Sequence, residues 1–171
     1  LVGLAPAEGS VVDTAAGSGH HLEALLAKLP GRVFVGRDLS PEMIAVARER
    51  LPESVAVVQA DMTDMTGTES SSCAVLLNTF ALHHVSADTA KAAIAEWARC
   101  LGPGGVLYLA TWEGVSGTPI EGVENAYLWS AADVTSWIEA AGLRVDHQRQ
   151  AMEAEFEMNT LYVLATKTAA T

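Results

Sequence analysis

The feature that most constrains the fold is the segment VVDTAAGSGHH, residues 11–21. Its two valines predict a buried strand, Gly17 and Gly19 predict a sharp loop, and leucines at helical spacing predict a helix over His20 to Leu29. A strand, a glycine loop and a helix start in this order present backbone N–H groups to a nucleotide-like ligand. The segment therefore predicts a cofactor site at the end of the first strand.

The spacing of the glycines indicates which kind of loop this is. A dinucleotide-binding fingerprint requires a third glycine where this chain has Leu22. A phosphate-binding loop requires Lys and then Ser or Thr, where this chain has His20 and His21. What remains is an acid at the strand end, well placed for an ammonium group, followed by small residues at alternate positions. These residues are Asp13, Ala15, Gly17 and Gly19.

This pattern resembles motif I of the class I S-adenosylmethionine-dependent methyltransferases, with Ala15 in place of the first glycine. In that family the second strand ends in an acid that binds the ribose hydroxyls, and GRDLSPEMI has Asp38 there, about twenty residues after Gly19. A carboxylate can hold two adjacent hydroxyls with its two oxygens. The resemblance implies cofactor contacts for Asp38 and the adjacent Leu39.

Further segments resemble the same family in the same order. QADM resembles its adenine site, which implies that Asp61 accepts from the exocyclic amine and that Met62 packs beside the ring. Asp64 lies close enough in sequence to serve instead of Asp61. LLNTFALHHV resembles the segment beneath the methionine part of the cofactor and includes Asn78, and RCLGPGGVLYL resembles the signature before the fifth strand. The resemblance implies S-adenosylmethionine as the cofactor.

The order of strand and helix patterns predicts the fold class. The two patterns alternate as far as Gly142, after which LRVDHQRQAM and NTLYVLATK follow with no helix-length segment between them. Two such strands pair antiparallel through a short connection. We therefore predict an α/β, doubly wound, Rossmann-like sheet of about seven strands, the last antiparallel, with helices on both faces. A single domain is expected over residues 1–171.

Composition limits the partners. The net charge of −11 disfavours a phosphate-backbone partner, so nucleic acid is not expected. No apolar run approaches the length of a membrane span, and no secretory signal precedes the first strand. Cys73 and Cys100 lie in predicted core segments without metal-ligand spacing and are expected to be buried thiols. These observations favour a cytoplasmic protein with a small-molecule acceptor.

The histidines do not identify a catalytic residue. For His83 and His84, after the fourth strand, a positional role is favoured over that of a general base. His20 and His21 stand at the start of a helix, whose positive end favours neutral imidazoles that could approach the carboxylate end of the cofactor. No zinc site is predicted from these four residues, because no cysteine accompanies them at ligand spacing.

Two segments are candidates for acceptor recognition, residues 1–10 and 113–130. Beside or within the second lie Trp112, Tyr127 and Trp129, which form either one wall of a small-molecule pocket or an inward-packed loop. Both interpretations stay open at this stage. Trp97 and Trp137 fall on the buried faces of predicted helices and are expected in the core.

The resemblance implies direct displacement of the methyl group by a substrate nucleophile. The alternative is a non-catalytic domain of methyltransferase fold that works as a binding or regulatory module. If the folded chain starts at Leu1, Pro6 and Gly9 leave no room for an N-terminal helix that covers the cofactor. Binding would then be weak, or a second copy in a homodimer would supply the lid.

Overall fold

The computed structural model describes residues 2–168, so Leu1 and residues 169–171 of the predicted domain lie outside the described part. Seven strands form one sheet in the order β3-β2-β1-β4-β5-β7-β6. The strands are β1 (Ser10–Asp13), β2 (Phe34–Asp38), β3 (Ala56–Gln59), β4 (Cys73–Thr79), β5 (Leu101–Glu113), β6 (Leu143–Glu153) and β7 (Met158–Lys167). The helices are α1 (His20–Leu26), α2 (Pro41–Arg50), α3 (Ala87–Cys100) and α4 (Ala131–Ala140), with a 3₁₀ turn at Leu82–His84.

The topology confirms the predicted fold class. β1, β2, β3, β4 and β5 pair in parallel, and β7 runs antiparallel to both of its neighbours, β5 and β6. The terminal hairpin turns between Glu153 and Met158, so β7 inserts between β5 and β6. The chain order reverses between β1 and β4, and ligands of open α/β sheets bind outside the strand ends at such a point.

The core occupies both faces of the sheet. Successive side chains of a strand point to opposite faces, and Val11 and Val12 accordingly belong to different hydrophobic clusters. The cluster of Val11 contains side chains of α1 and α2, such as Leu22 and Ile44, whereas the cluster of Val12 contains side chains of α3 and α4. β4 lies between these layers and is buried along its whole length.

Most core predictions are confirmed. Cys73 and Cys100 are free and buried, and Trp97 is fully buried with its indole N–H donated to the carbonyl of Met62 at 2.9 Å. Trp137 differs from its prediction because it is only partly buried. The ammonium of Lys91 lies 5.9 Å from the centroid of the Trp137 ring, within cation–π distance.

Two element boundaries differ from prediction. α1 ends at Leu26 rather than Leu29, because the amides of both Lys28 and Leu29 donate to the carbonyl of Leu25 at 2.9 Å and close the last turn early. β5 begins at Leu101, before its predicted apolar run. A Cβ on Gly105 would stand 2.8 Å from the Gly102 carbonyl oxygen, so the glycines here allow close backbone approach.

Candidate functional site

A cavity of about 380 Å³ lies at the carboxyl ends of β1, β2 and β4, the point where the strand order reverses. It is lined by residues that follow successive strands: Thr14, Ala15, Gly17, Asp38, Leu39, Asp61, Met62, Thr79, Phe80, Ala81, His84 and Val85. The predicted cofactor residues Ala15, Gly17, Asp38, Leu39, Asp61 and Met62 are all among them. The structure therefore brings together residues that are separated by up to three strands in sequence.

Asp38 fixes the glycine loop to the end of β2. Its Oδ2 accepts a hydrogen bond from the Gly17 amide at 2.7 Å, and its Oδ1 accepts from the Ser40 amide at 2.9 Å. The Ser40 side chain in turn caps α2 by accepting from the Met43 amide at 3.2 Å. A carboxylate has about four acceptor positions, so Asp38 can still receive two hydroxyl donors from a ligand.

The predicted adenine side is formed by Asp61 and Met62. Oδ1 of Asp61 accepts from the amide and the hydroxyl of Thr63, both at 2.8 Å, which anchors this carboxylate at the cavity wall. Asp64, the alternative to Asp61, does not line the cavity, and its carboxylate accepts from the Thr66 amide at 2.8 Å. The geometry thus favours Asp61 over Asp64 as the group that faces a ligand.

Asp13 is completely buried and lies beneath the loop rather than on the cavity lining. Its Oδ1 accepts from the Ala15 amide at 3.2 Å, whereas its Oδ2 has no hydrogen-bond partner. Burial raises the pKa of this carboxyl group to about 7, with a further increase from the charge of Asp38, while the Ala15 hydrogen bond opposes the shift. Asp13 therefore supports the glycine loop in this structure. Its direct contact with a ligand stays a prediction.

Gly17 and Gly19 serve different purposes. Both have left-handed backbone, with φ of +50° and +80°. A Cβ on Gly17 would meet nothing within 4 Å, and Gly17 lines the cavity. A Cβ on Gly19 would stand 2.8 Å from Leu51 Cδ1, so Gly19 is a packing residue between α1 and the end of α2 and lies outside the cavity lining.

Gly36 is a site residue that the sequence analysis missed. It sits in the middle of β2, where a Cβ would meet Leu22 Cδ1 at 3.0 Å and Ala16 Cβ at 3.2 Å. Its missing side chain therefore lets the glycine loop and α1 lie close to β2. The available signal was a glycine inside a buried strand pattern, which often marks close backbone approach.

Asn78 also lies behind the lining rather than on it. Its Nδ2 donates to the Thr14 hydroxyl at 2.9 Å and contacts the Met62 sulfur at 3.4 Å, which links the ends of β1, β4 and the loop after β3. Its Oδ1 is buried without a partner. The role of Asn78 in this structure is to hold two lining residues, Thr14 and Met62, in place.

The histidines separate into two environments. His84 is exposed and lines the cavity, whereas His83 is buried with Nδ1 unpartnered. Burial lowers the pKa of His83 to about 4, and the charge of nearby His84 lowers it further. His21 Nδ1 lies 3.2 Å from the Thr79 hydroxyl, and neither His20 nor His21 lines the cavity.

The aromatic wall is composed differently from the prediction. Trp129 is buried and donates its indole N–H to the Leu82 carbonyl at 3.2 Å, so it packs inward. Trp112 instead contacts Phe80, which lines the cavity, with ring centroids 5.0 Å apart. Trp112 also contacts Phe156 of the β6–β7 turn, with ring centroids 5.3 Å apart. Neither Phe80 nor Phe156 was predicted from the sequence as part of this wall.

The segment between β5 and α4 is held by serine and aspartate side chains. Ser130 caps α4 by accepting from the Asp133 amide at 3.1 Å, and the Asp133 carboxylate accepts from the hydroxyls of Ser130 and Ser116. The Ser130 amide donates to the Ser116 hydroxyl at 2.9 Å. These bonds fix the loop of residues 113–130 to the start of α4.

Two further properties of residues 2–168 concern partners. In this part of the chain no helix has both the length and the apolar character needed to cross a membrane. Within the same residues, no three His, Cys, Asp or Glu side chains come together as a metal site would require.

A doubly wound sheet with acids after β2 and β3 and a glycine loop after β1, all facing one cavity, defines an α/β protein that binds a nucleoside-type cofactor. A family model described as a methyltransferase domain matches residues 11–105. The chain belongs to this family, and the resemblance to class I S-adenosylmethionine-dependent methyltransferases is confirmed.

Individual relatives agree with this assignment. An uncharacterized methyltransferase of Bacillus mycoides is 30% identical over 102 residues, which are 60% of this chain and 46% of the relative. The chain thus spans about half the length of the curated relatives it matches. Two solved structures share the fold. One is a Haloferax volcanii protein in complex with a methyltransferase activator, with a TM-score of 0.81 and 24% identity over 99% of this chain and 87% of that one. The other is an S-adenosylmethionine-dependent methyltransferase from Mesorhizobium loti, with a TM-score of 0.77 and 18% identity over 96% and 94%.

Proposed function

We propose that this chain binds S-adenosylmethionine in the cavity and transfers its methyl group to a small-molecule acceptor. One observation carries the proposal: one and the same cavity is lined by Gly17, Asp38 and Asp61 and by a second group that contains Phe80, Ala81, His84 and Val85. The first group supplies polar contacts for a cofactor, and the second leaves a largely apolar wall next to it for an acceptor.

The cavity residues fit this cofactor. Gly17 presents open space where a side chain would stand, so a ligand can lie against the backbone of the loop. In the proposed arrangement Asp38 accepts from the ribose hydroxyls, Asp61 accepts from the adenine amine, and Leu39 and Met62 contact the base. Asp13 and Asn78 retain one unpartnered oxygen each beneath the lining, and contact of Asp13 with the ammonium group of the cofactor stays a separate prediction.

S-adenosylmethionine, when bound, supplies a methyl group that is already activated by a sulfonium centre. The contribution of the chain is therefore mainly alignment, which can be worth about 7–11 kcal/mol. If the acceptor must lose a proton, His84 is better placed than His83 to take it. His84 is exposed at the cavity, whereas His83 is buried with a pKa lowered to about 4, so that it is a weak base.

The first experiment is titration calorimetry with S-adenosylmethionine, with S-adenosylhomocysteine and with NAD. Binding of both sulfur ligands and no binding of NAD is expected. The second experiment incubates the protein with a metabolite extract and the cofactor labelled in its methyl group, and follows the label by mass spectrometry. Transfer to a small molecule supports the enzyme; cofactor binding without transfer to any small molecule supports the non-catalytic module instead.

The homodimer stays a separate prediction. Residues 2–9 consist of turns and bends, without a helix in that range. If a second copy supplies a lid, the affinity for the cofactor should rise with protein concentration as the dimer forms. Calorimetry and light scattering on the same dilution series measure both quantities, and tight binding by a monomer, with an affinity that does not change with concentration, would exclude the lid.

A further inference from the structure

The three aromatic side chains Phe80, Trp112 and Phe156 form a continuous row, which we call the aromatic ridge. The ring centroids of Phe80 and Trp112 are 5.0 Å apart with planes tilted by 51°, and those of Trp112 and Phe156 are 5.3 Å apart with a tilt of 59°. Phe80 directly follows β4, Trp112 lies one residue before the end of β5, and Phe156 lies in the β6–β7 turn. Because Phe80 lines the cavity, the ridge extends from the cavity wall toward the hairpin.

The ridge leaves much aromatic surface in contact with solvent. The exposed fraction is 57% for Phe156 and 37% for Phe80. Phe80 also adopts the left-handed backbone region, with φ of +54°, and its amide donates to the Ala110 carbonyl at 2.8 Å. Such a conformation costs a residue with a Cβ about 1–2 kcal/mol, and strained positions of this kind cluster at binding sites.

Two of the segments beside the ridge carry only negative charge, whereas the third, after Phe80, contains His83 and His84. The loop of residues 113–130 contains three glutamates, as does the turn of residues 153–157, and neither segment contains Lys, Arg or His. The basic side chain of the hairpin nearest to the turn in sequence, Arg149, lies over the Tyr162 ring at 4.8 Å. An anionic ligand on the ridge would therefore meet repulsion, whereas a cation would be attracted by both the carboxylates and the ring faces.

We propose that the aromatic ridge is the acceptor-binding surface and that the acceptor is a flat, largely apolar molecule that is either uncharged or positively charged. This inference rests on the proposed methyl transfer. A planar molecule stacked on the exposed ring of Phe156, with the tilted Trp112 ring against its edge, would extend past Phe80 toward the cavity, where His84 lies. Trp112 holds the row together, and Phe156 is the outermost ring and the determinant of acceptor size.

Three probes that share an indole ring and differ in charge test the proposal: indole, tryptamine and indole-3-acetate. Each is titrated by calorimetry into the full chain saturated with S-adenosylhomocysteine. Indole and tryptamine should bind, and indole-3-acetate should bind at least about tenfold more weakly than tryptamine. Phe156→Ala should weaken tryptamine binding several-fold. The control Val33→Ala, at a side chain that is 66% exposed just before β2, should leave the affinity unchanged.

Several results would overturn the proposal: no probe binds, indole-3-acetate binds best, or Phe156→Ala has no effect. The affinity for S-adenosylhomocysteine is measured on the same samples, so the two proposals fail separately. Loss of cofactor binding in the unmodified chain contradicts the proposed function, and the probes are then titrated without cofactor. Cofactor binding without the expected probe pattern contradicts the ridge alone. A thermal melt shows that Phe156→Ala, in an exposed turn, is folded.

Discussion

The amide of Gly17 donates to Oδ2 of Asp38 at 2.7 Å, which joins the glycine loop after β1 directly to the acid at the end of β2. Both residues line the cavity, so one hydrogen bond holds two proposed cofactor contacts in a fixed relation before any ligand arrives. Such preorganisation reduces the ordering that binding would otherwise require. We therefore expect Asp38 to have two roles: it holds the glycine loop in place, and it contacts the ligand directly.

Asp38→Ala should weaken S-adenosylmethionine binding by more than about tenfold, because each hydrogen bond to a charged group is worth about 1.5–3 kcal/mol. The melting temperature should fall as well, since the amides of Gly17 and Ser40 lose their acceptor. Calorimetry and thermal melting measure the two effects. The control Asp88→Ala removes an acid whose side chain is 95% exposed, and its cofactor affinity should equal that of the unmodified chain. Unchanged binding by Asp38→Ala would place the ribose contact elsewhere.

Gly17→Ala and Gly31→Ala form a matched pair. Both glycines have positive φ, +50° and +78°, and a Cβ would meet nothing within 4 Å at either position. Each substitution should therefore cost a similar free energy of unfolding, about 1–2 kcal/mol. Only Gly17 lines the cavity, so only Gly17→Ala should weaken cofactor binding in calorimetry. Equal affinities in the two variants would show that the ligand does not lie against this loop.

Asp61→Asn and Asp64→Asn separate two neighbouring acids. Either asparagine keeps an oxygen that can accept the local hydrogen bond from the amide of Thr63 or Thr66. Asp61 lines the cavity and Asp64 does not, so Asp61→Asn should weaken S-adenosylmethionine binding several-fold and Asp64→Asn should have no effect. Calorimetric titration of both variants with S-adenosylmethionine measures the two affinities. A larger loss of affinity in Asp64→Asn would assign the adenine contact to Asp64.

Asp13 should make stability depend on pH. The pKa of Asp13 is about 7 in the folded chain, against 3.8 for an aspartate side chain outside the fold. Folding therefore favours the protonated form. This contribution is fully present below about pH 4 and is lost as the pH rises through about 7, by roughly 4–5 kcal/mol at about 1.4 kcal/mol per pKa unit. Asp13→Asn, which cannot ionise, should therefore gain stability relative to the unmodified chain over this range.

The measurement is denaturant unfolding of both chains from pH 4 to pH 8. His83 acts in the opposite direction, because its lowered pKa contributes stability above about pH 6.5 that is lost as the pH falls through about 4. That contribution is common to both chains and cancels in their difference. If the difference in free energy of unfolding between the two chains stays constant with pH, the assignment of Asp13 as a buried, neutral group is contradicted.

The positions of the strand ends in the sequence predicted most of the cavity residues that we propose as cofactor contacts. Asp38 and Asp61 follow predicted parallel strands, whose carboxyl ends meet at one edge of the sheet, and both line the cavity. Gly19 and Asn78 were also predicted as cofactor residues, yet they lie behind the lining. A sequence position after a strand identifies the edge of the sheet but does not distinguish a side chain on the surface from one that supports it.

The aromatic residues of the proposed acceptor surface, in contrast, were mostly not predictable from the sequence. Trp129 was a candidate for the aromatic wall, and the structure buries it against the Leu82 carbonyl, whereas Phe156 stands on the ridge although it is 44 residues from Trp112 in the sequence. The loop of residues 113–130 has no periodic pattern that would tell its inner from its outer face. Its orientation is fixed by Ser116 and the cap of α4, which are contacts between separate segments.

The sequence by itself determined the alternation of strands and helices, the reversed last strand and the acids at the strand ends, because hydrophobic period, capping residues and glycines act over a few neighbouring positions. Only the tertiary structure decided which of these residues share a cavity, that Asp13 is buried enough to raise its pKa, and that Phe80, Trp112 and Phe156 meet. The physical reason is that burial and long-range contact depend on how β7 inserts beside β5 and how the loops then pack, and residues distant in sequence carry no local signal of that arrangement.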